Sequence, residues 1–272
     1  MSDNDNLALF CDFENIALGV KDAKYAKFDI RLVLERLLVK GSIVTKKAYC
    51  DWDRYKQFKA AMHEAAFELI EIPHVRMSGK NSADIRMVVD ALDLCYTKEH
   101  IDTFVIISGD SDFSPLVSKL RENAKTVIGV GVKNSTSDLL IANCDEFIFY
   151  DDLAARTESE PPAEKTPKSK KAGSRKKATK KAVKTDRKQE GIDLVVDTTE
   201  ALYSERGDRS KLWGSMIKQT LKRRMPQFSE SYYGFGSFTE LLEEAQSREL
   251  INLELDERSG GYIVKSVKPR NE

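Results

Sequence analysis

Carboxylates gather at four places in this 272-residue chain. Asp12, with Glu14 and Asn15, follows the apolar residues 7–11. Asp84 closes the run Lys80-Asn81-Ser82-Ala83-Asp84. Asp110 and Asp112 sit in Ser108-Gly109-Asp110-Ser111-Asp112-Phe113, directly after the apolar residues 104–107. Asp138 is a weaker fourth. Short apolar runs bounded by polar turn residues read as strands buried on both faces. In open parallel sheets, ligands bind at the carboxyl ends of such strands. Two carboxylates held about 4 Å apart repel by about 4 kcal/mol at an effective dielectric near 20. A divalent cation offsets that repulsion, and oxygen ligation points to Mg²⁺ or Mn²⁺. The pattern suits metal-dependent phosphodiester chemistry.

Each cluster also has a plainer explanation. Asp12 and Asn15, three residues apart, place two oxygen ligands on one side of a strand-to-loop turn, yet either would serve as a helix cap. Asp84 near a helix start has the same alternative. A turn plus a cap accounts for one of Asp110 and Asp112 but not both, and Gly109 permits the tight turn between strand and helix. Asp90 lies six residues beyond Asp84, a rotation of about 240° on a helix, which argues for a structural role away from the cavity. Lys80 and Ser82 are placed to touch substrate phosphates, although a solvated lysine is the commoner case.

Residues 7–150 alternate between strands and helices. Strands are expected over 7–12, 42–51, 68–73, 103–108, 125–132 and 146–150. Helices are expected over 29–39 (capped by Asp29), 55–67, 84–96, 113–122 and 137–142. Strands separated by helices imply βαβ units, a parallel sheet and right-handed crossovers.

The Lys+Arg and Asp+Glu totals balance at 44 each, but the charge is partitioned. Residues 1–154 carry 19 basic and 25 acidic groups, residues 155–190 carry 13 and 5, and residues 191–272 carry 12 and 14. A neutral total therefore does not exclude a polyanionic partner. Residues 155–189 are Lys-rich and nearly devoid of apolar side chains, so disorder is expected. The 12 Lys or Arg in residues 165–188 suit either a solubilising spacer or a polyanion tether. Cys11, Cys50, Cys95 and Cys144 form no CxxC pair and read as buried free thiols in a reducing compartment. The acidic N-terminus lacks a signal-peptide pattern, and no apolar run is long enough to span a bilayer. A cytoplasmic protein without membrane contact is expected.

Periodicity returns at Ile192, with helices expected over 193–204, 211–224 and 237–247 and a hairpin over 250–256 and 261–265. Lys218, Lys222, Arg223 and Arg224 cluster at the end of the second of these helices. They could complement the helix dipole or bind nucleic acid. Tyr232, Tyr233 and Phe235 could stack on bases, but core packing is expected for at least two of them.

The acidic motifs, taken together over residues 6–150, resemble the NYN domain, a PIN-like nuclease family, and its bacterial LabA-like branch. Ser137-Asp138-Leu139-Leu140 and Cys144-Asp145-Glu146-Phe147 fit that family's closing pattern. The resemblance implies a Mg²⁺- or Mn²⁺-dependent ribonuclease on a PIN-like, Rossmann-like α/β fold, a parallel sheet flanked by helices. It assigns catalytic positions to Asp12, Asn15, Asp84, Asp110 and Asp112, with metal ligation by Asp12, Asp84, Asp110 and Asp112. The segment from Phe228 through Tyr233-Gly234-Phe235-Gly236-Ser237-Phe238, with Leu241-Leu242 and Leu250-Ile251-Asn252-Leu253, resembles an OST-HTH/LOTUS winged helix, a small α+β module. The implied organisation is a nuclease domain at 1–154, a linker at 155–189 and a winged helix at 190–268. RNA is the implied partner, bound through Lys80, Ser82, Lys218, Lys222, Arg223, Arg224 and the linker. The winged helix would also offer a surface to a second copy or another protein. The chief rival is a non-catalytic RNA-binding regulator that keeps the metal pocket. A haloacid-dehalogenase-like phosphatase requires a second aspartate two residues after the nucleophile, where this chain has Glu14.

Overall fold

The computed structural model describes residues 5–25, 27–72, 82–159, 177–206, 211–256 and 260–267. The chain divides into two compact units, Met1–Pro161 and Pro162–Glu272. Lys80 lies outside the described residues.

The first unit is a mixed α/β fold around a six-stranded, all-parallel sheet of order β3-β2-β1-β4-β5-β6. Its strands are β1 (Asp5–Asp12), β2 (Gly41–Cys50), β3 (Glu68–Glu71), β4 (Thr103–Ile107), β5 (Thr126–Gly131) and β6 (Glu146–Phe149). Alternation along β1 builds both cores. Leu7, Leu9 and Cys11 face one layer, formed by α1 (Phe13–Asp22), α2 (Ile30–Leu38), α3 (Lys56–Glu64) and α7 (Tyr150–Ser159). Ala8 and Phe10 face the other, formed by α4 (Ser82–Thr97), α5 (Ser114–Glu122) and α6 (Asp138–Asn143). Residues 7–12 of β1 are all buried, as a central parallel strand requires.

Local chemistry sets the helix starts. Asp29 caps α2 by accepting from the Arg31 amide, and Ser137 caps α6 by accepting from the Leu139 amide. Pro115 occupies the first turn of α5, where its missing N–H costs nothing.

The second unit contains α8 (Lys177–Arg206), α9 (Gly214–Arg224), α10 (Phe238–Ser247) and a three-stranded antiparallel sheet of order β7-β9-β8. The strands are β7 (Leu212–Trp213), β8 (Ile251–Leu255) and β9 (Tyr262–Val267). Ile192, Val195, Ile217, Leu221, Leu241 and Leu242 anchor its core. At α10, Ser237 accepts from the Glu240 amide while Glu240 Oε2 accepts from the Gly236 amide, a reciprocal cap.

Four elements depart from the sequence reading. Residues 13–22 form α1 rather than a loop, burying Phe13, Ile16, Gly19 and Val20 at helical spacing. Tyr150 opens α7 instead of ending a strand. Leu212 and Trp213 pair with Ile263 and Val264 as a strand ahead of α9, where a single helix was expected. Within the segment expected to be disordered, 155–159 and 177–189 are helical. Ala, Lys, Arg and Gln there are strong helix formers, and 190–206 supplies the buried face that extends the same helix.

Candidate active site

The order of the sheet reverses direction at β1 and β4, which lie side by side with Cys11 opposite Ile107. This is the switch point at which an open parallel sheet leaves a crevice beyond its strand ends. A cleft of about 340 Å³ opens there. Asp12, Glu14 and Asn15 line it from the end of β1 and the start of α1, and Asp84 lines it from the start of α4. Asp110, just past β4, completes the acidic wall.

Asp12 is the fixed point. Its side chain is buried, with 8% exposure. Oδ1 accepts from the Asn15 amide at 3.3 Å, capping α1, and Oδ2 accepts from the Ser108 hydroxyl at 3.1 Å. The Asn15 side chain crosses to the neighbouring strand end, where its Oδ1 accepts from the Gly109 amide at 2.9 Å. A Cβ on Gly109 would lie 2.5 Å from the Ser135 carbonyl oxygen, so glycine lets two loops close against each other here. Asp110 Oδ1 accepts from the Asp112 amide at 3.0 Å, which holds the turn that leads into α5.

The carboxylates feel one another. Burial, then the charge of Asp84 and last that of Asp110, pushes Asp12 up to about 7. The hydrogen bonds from Asn15 and Ser108 oppose that rise. Burial, then the charges of Asp110, Asp112 and Glu14, pushes Asp84 up to about 6. Among the described residues, none of Asp12, Asp84, Asp110 and Asp112 has a Lys or Arg partner. The ion pair at this cleft joins Arg54 to Glu14, at 3.4 Å. The Cys50 thiol beside the cleft is raised by burial, then by Glu14 and Asp12, and so stays protonated at neutral pH.

An acidic, oxygen-lined cleft in which Asp12, Asp84 and Asp110 meet no cation among the described residues suits a hard divalent ion. Among the described residues, no three Asp, Glu, His or Cys side chains stand as a ready-made ligand set. The donor types fit a divalent ion.

The remaining expected site residues divide. Asp112 is exposed and sits outside the lining of the cleft, acting on Asp84 through its charge. Asp138 opens α6, away from the cleft lining. Ser82 is exposed at the first residue of α4. Asp90 accepts from the Tyr49 hydroxyl at 2.9 Å and pairs with Lys47 at 3.4 Å and Arg86 at 3.1 Å, a structural role as its helical offset indicated. Lys218 pairs with Glu230 at 2.7 Å and lies over the Phe238 ring, which commits it to the fold of its own unit. Lys222 is half-buried, whereas Arg223 and Arg224 are exposed. Tyr233 and Phe235 are core residues, while Tyr232 carries Arg187 over its ring at 5.0 Å. Tyr49, Asp51 and Ile72 also line the cleft and were not singled out. The signal for them is positional: Tyr49 and Asp51 sit at the carboxyl end of β2, the other neighbour of β1, and Ile72 follows β3, which pairs with β2.

The NYN domain family model matches residues 6–152. The chain belongs to the NYN domain family. NYN domains are PIN-like nucleases, and such nucleases typically use divalent metals. This NYN chain is 28% identical over 117 residues to an uncharacterized protein of Methanocaldococcus jannaschii. That match covers 43% of the chain and 45% of the archaeal protein, so it spans under half of the relative's length. A crystal structure of a protein of unknown function from Vibrio parahaemolyticus superposes with a TM-score of 0.50 at 26% identity. It covers 56% of this chain and 97% of the Vibrio chain. No described helix is long and apolar enough to cross a membrane.

Proposed function

We propose that the protein is a Mg²⁺- or Mn²⁺-dependent endoribonuclease of the LabA-like branch, with its chemistry at the cleft between β1 and β4. The carrying observation is that Asp12, Asp84 and Asp110 line one cleft, have no cationic partner among the described residues, and that burial with the neighbouring carboxylates raises the pKa of Asp12 and of Asp84. Asp12, Asp84 and Asp110 would hold the cation, with Asp112 adding its charge from outside the cleft lining. A bound cation lowers the pKa of a water and offsets charge developing on the phosphate. Asn15 and Ser108 hold Asp12 in place and favour its charged, ligating form. Gly109 and Asn15 tie the ends of β1 and β4 so that Asp12 and Asp110 keep their spacing.

The second unit fits an OST-HTH/LOTUS-like winged helix over residues 190–268, joined to a nuclease domain at 1–154 through 155–189. RNA capture would fall to exposed Arg223 and Arg224, to Lys222, and to the basic residues of 165–188. The four free, buried cysteines accord with a reducing, cytoplasmic setting.

One observation favours a second reading, a non-catalytic RNA-binding regulator: the described carboxylates do not already form a three-residue ligand set. Incubating the full chain with end-labelled single-stranded RNA, in Mn²⁺ and then in excess EDTA, separates the two. Metal-dependent internal cleavage supports the nuclease; binding without cleavage in Mn²⁺ supports the regulator.

A further inference from the structure

Helix α4 buries Met87, Ala91 and Cys95 against the sheet. Its outward side should then be polar, and part of it is not. Ile85, Val89 and Tyr96 are 63%, 55% and 61% exposed, and Leu92 is only partly buried. These four positions follow one another at intervals of four, three and four residues. That spacing places them in a single narrow stripe along a helix, the seam by which two helices pair. The Asn123 side chain donates to the Tyr96 hydroxyl at 3.4 Å, which steadies the ring in its exposed position.

We propose that this stripe is a homodimer interface, in which α4 packs antiparallel against α4 of a second copy about a twofold axis. The charges beside the stripe select that occupant. In an antiparallel pair, Val89 meets Leu92 of the second copy and Ile85 meets Tyr96. The same register brings Arg86 opposite Asp93 of the second copy, and the twofold axis repeats the contact. Arg86 donates through Nε to Asp90 on its own helix, yet its side chain is 59% exposed, and Asp93 is exposed, so both charges stand at the flank. A parallel pairing would instead set Asp93 beside Val88 of the second copy and leave the two charges on opposite sides of the seam, without a partner across it. The surface is thus self-complementary in the antiparallel orientation, as an isologous contact requires. Over its 16 residues α4 offers a seam about 24 Å long. The seam begins beside Asp84, so pairing would also steady the helix start that lines the cleft.

The test is the mass of the full chain by sedimentation across a concentration series, for the wild type and charge variants. The wild type is expected to dimerise. Val89→Glu, which places a charge on the seam, should weaken the dimer by about tenfold or more. Arg86→Asp and Asp93→Arg should each weaken it, because each sets like charges opposite one another. Mixing those two variants should restore a heterodimer, since every facing pair then becomes opposite in sign. Restoration on mixing also rules out misfolding as the cause of the single-variant losses. A wild type that stays monomeric throughout would overturn the proposal, as would a dimer indifferent to Val89→Glu and the charge variants, whose interface would lie elsewhere.

Discussion

The Ser108 hydroxyl donates to Asp12 Oδ2 at 3.1 Å, tying the carboxyl ends of the two central strands together at the candidate metal site. The same hydroxyl oxygen accepts from the Asp110 amide at 3.2 Å. One small side chain therefore sets both the position of Asp12 and the path of the turn that carries Asp110. Because it donates to Asp12, it favours the charged carboxylate against burial and the neighbouring negative charges.

Ser108→Ala should accordingly raise the Asp12 pKa further. The acidic limb of the rate profile is expected to move to higher pH, with the maximum rate reached only under more alkaline conditions. Stability should fall by about 1 kcal/mol, the usual cost of one lost hydrogen bond. A pH–rate profile beside a thermal melt measures both, and an unmoved acidic limb would separate Ser108 from the chemistry.

The raised pKa of Asp12 also makes the metal-free protein pH-sensitive in a definite direction. Below about pH 4 the carboxyl is protonated in both folded and unfolded chains and costs nothing. Between about pH 4 and about 7 the unfolded chain releases the proton while the folded chain retains it, so stability falls as pH rises. Asp84, pushed up to about 6, adds to the loss in the same direction. Asp12→Asn in EDTA should therefore melt higher than the wild type at pH 8, by on the order of a few kcal/mol, and show little advantage at pH 4. Thermal melts across that range check it; an advantage already complete at pH 4 would contradict the linkage.

Gly109→Ala should damage the site through the backbone. The added methyl would approach the Ser135 carbonyl oxygen at 2.5 Å, and relief requires moving either loop. Such overpacking typically costs about 1–3 kcal/mol. Moving Gly109 also strains its amide bond to Asn15 and the Ser137 amide bond to its carbonyl, at 2.9 Å each. Cleavage should fall more steeply than stability, as read by parallel rate and unfolding measurements.

Asp90 provides the opposite case. Its carboxylate joins Tyr49, Lys47 and Arg86 and is absent from the cleft lining. Asp90→Asn should lower stability by about 1–3 kcal/mol through weakened charged hydrogen bonds. Cleavage at a temperature where the variant is folded should stay within a few-fold of the wild type. A total loss of activity in a folded Asp90→Asn protein would move Asp90 into the site.

The sheet and the acidic wall were legible because their signals are strong and local. Residues 7–11 and 104–107 are continuous apolar runs, and an aspartate after each can only lie at a strand end. Asp84 was readable from its place at a helix start, and Asp90 from its rotation away from Asp84. Helix α1 was not, because Gly19 and the short polar run beyond Asp12 look like a loop. In the fold, Gly19 is favoured at that point, where a side chain would run into Val132 and Ser135. The helical stretch 177–189 escaped notice because no apolar period marks it, and helix propensity together with the adjoining buried face of α8 decides it. Lys218 was read as a nucleic-acid contact since its partner, Glu230, is twelve residues away across a connector. Pairings of that kind depend on tertiary structure and leave no local trace in the sequence.

The central claim is that the carboxylates between β1 and β4 hold the cation that cleaves RNA. The most direct measurement is the single-turnover cleavage rate of labelled single-stranded RNA in saturating Mn²⁺, comparing the wild type with Asp110→Asn. Asp110 is half-exposed and donates nothing to the core, so the variant should fold and melt at or above the wild-type temperature in EDTA. The account predicts a loss of roughly a hundredfold or more, on the scale of removing one preorganised electrostatic group from an active site. Cleavage by a folded Asp110→Asn protein at the wild-type rate would contradict it.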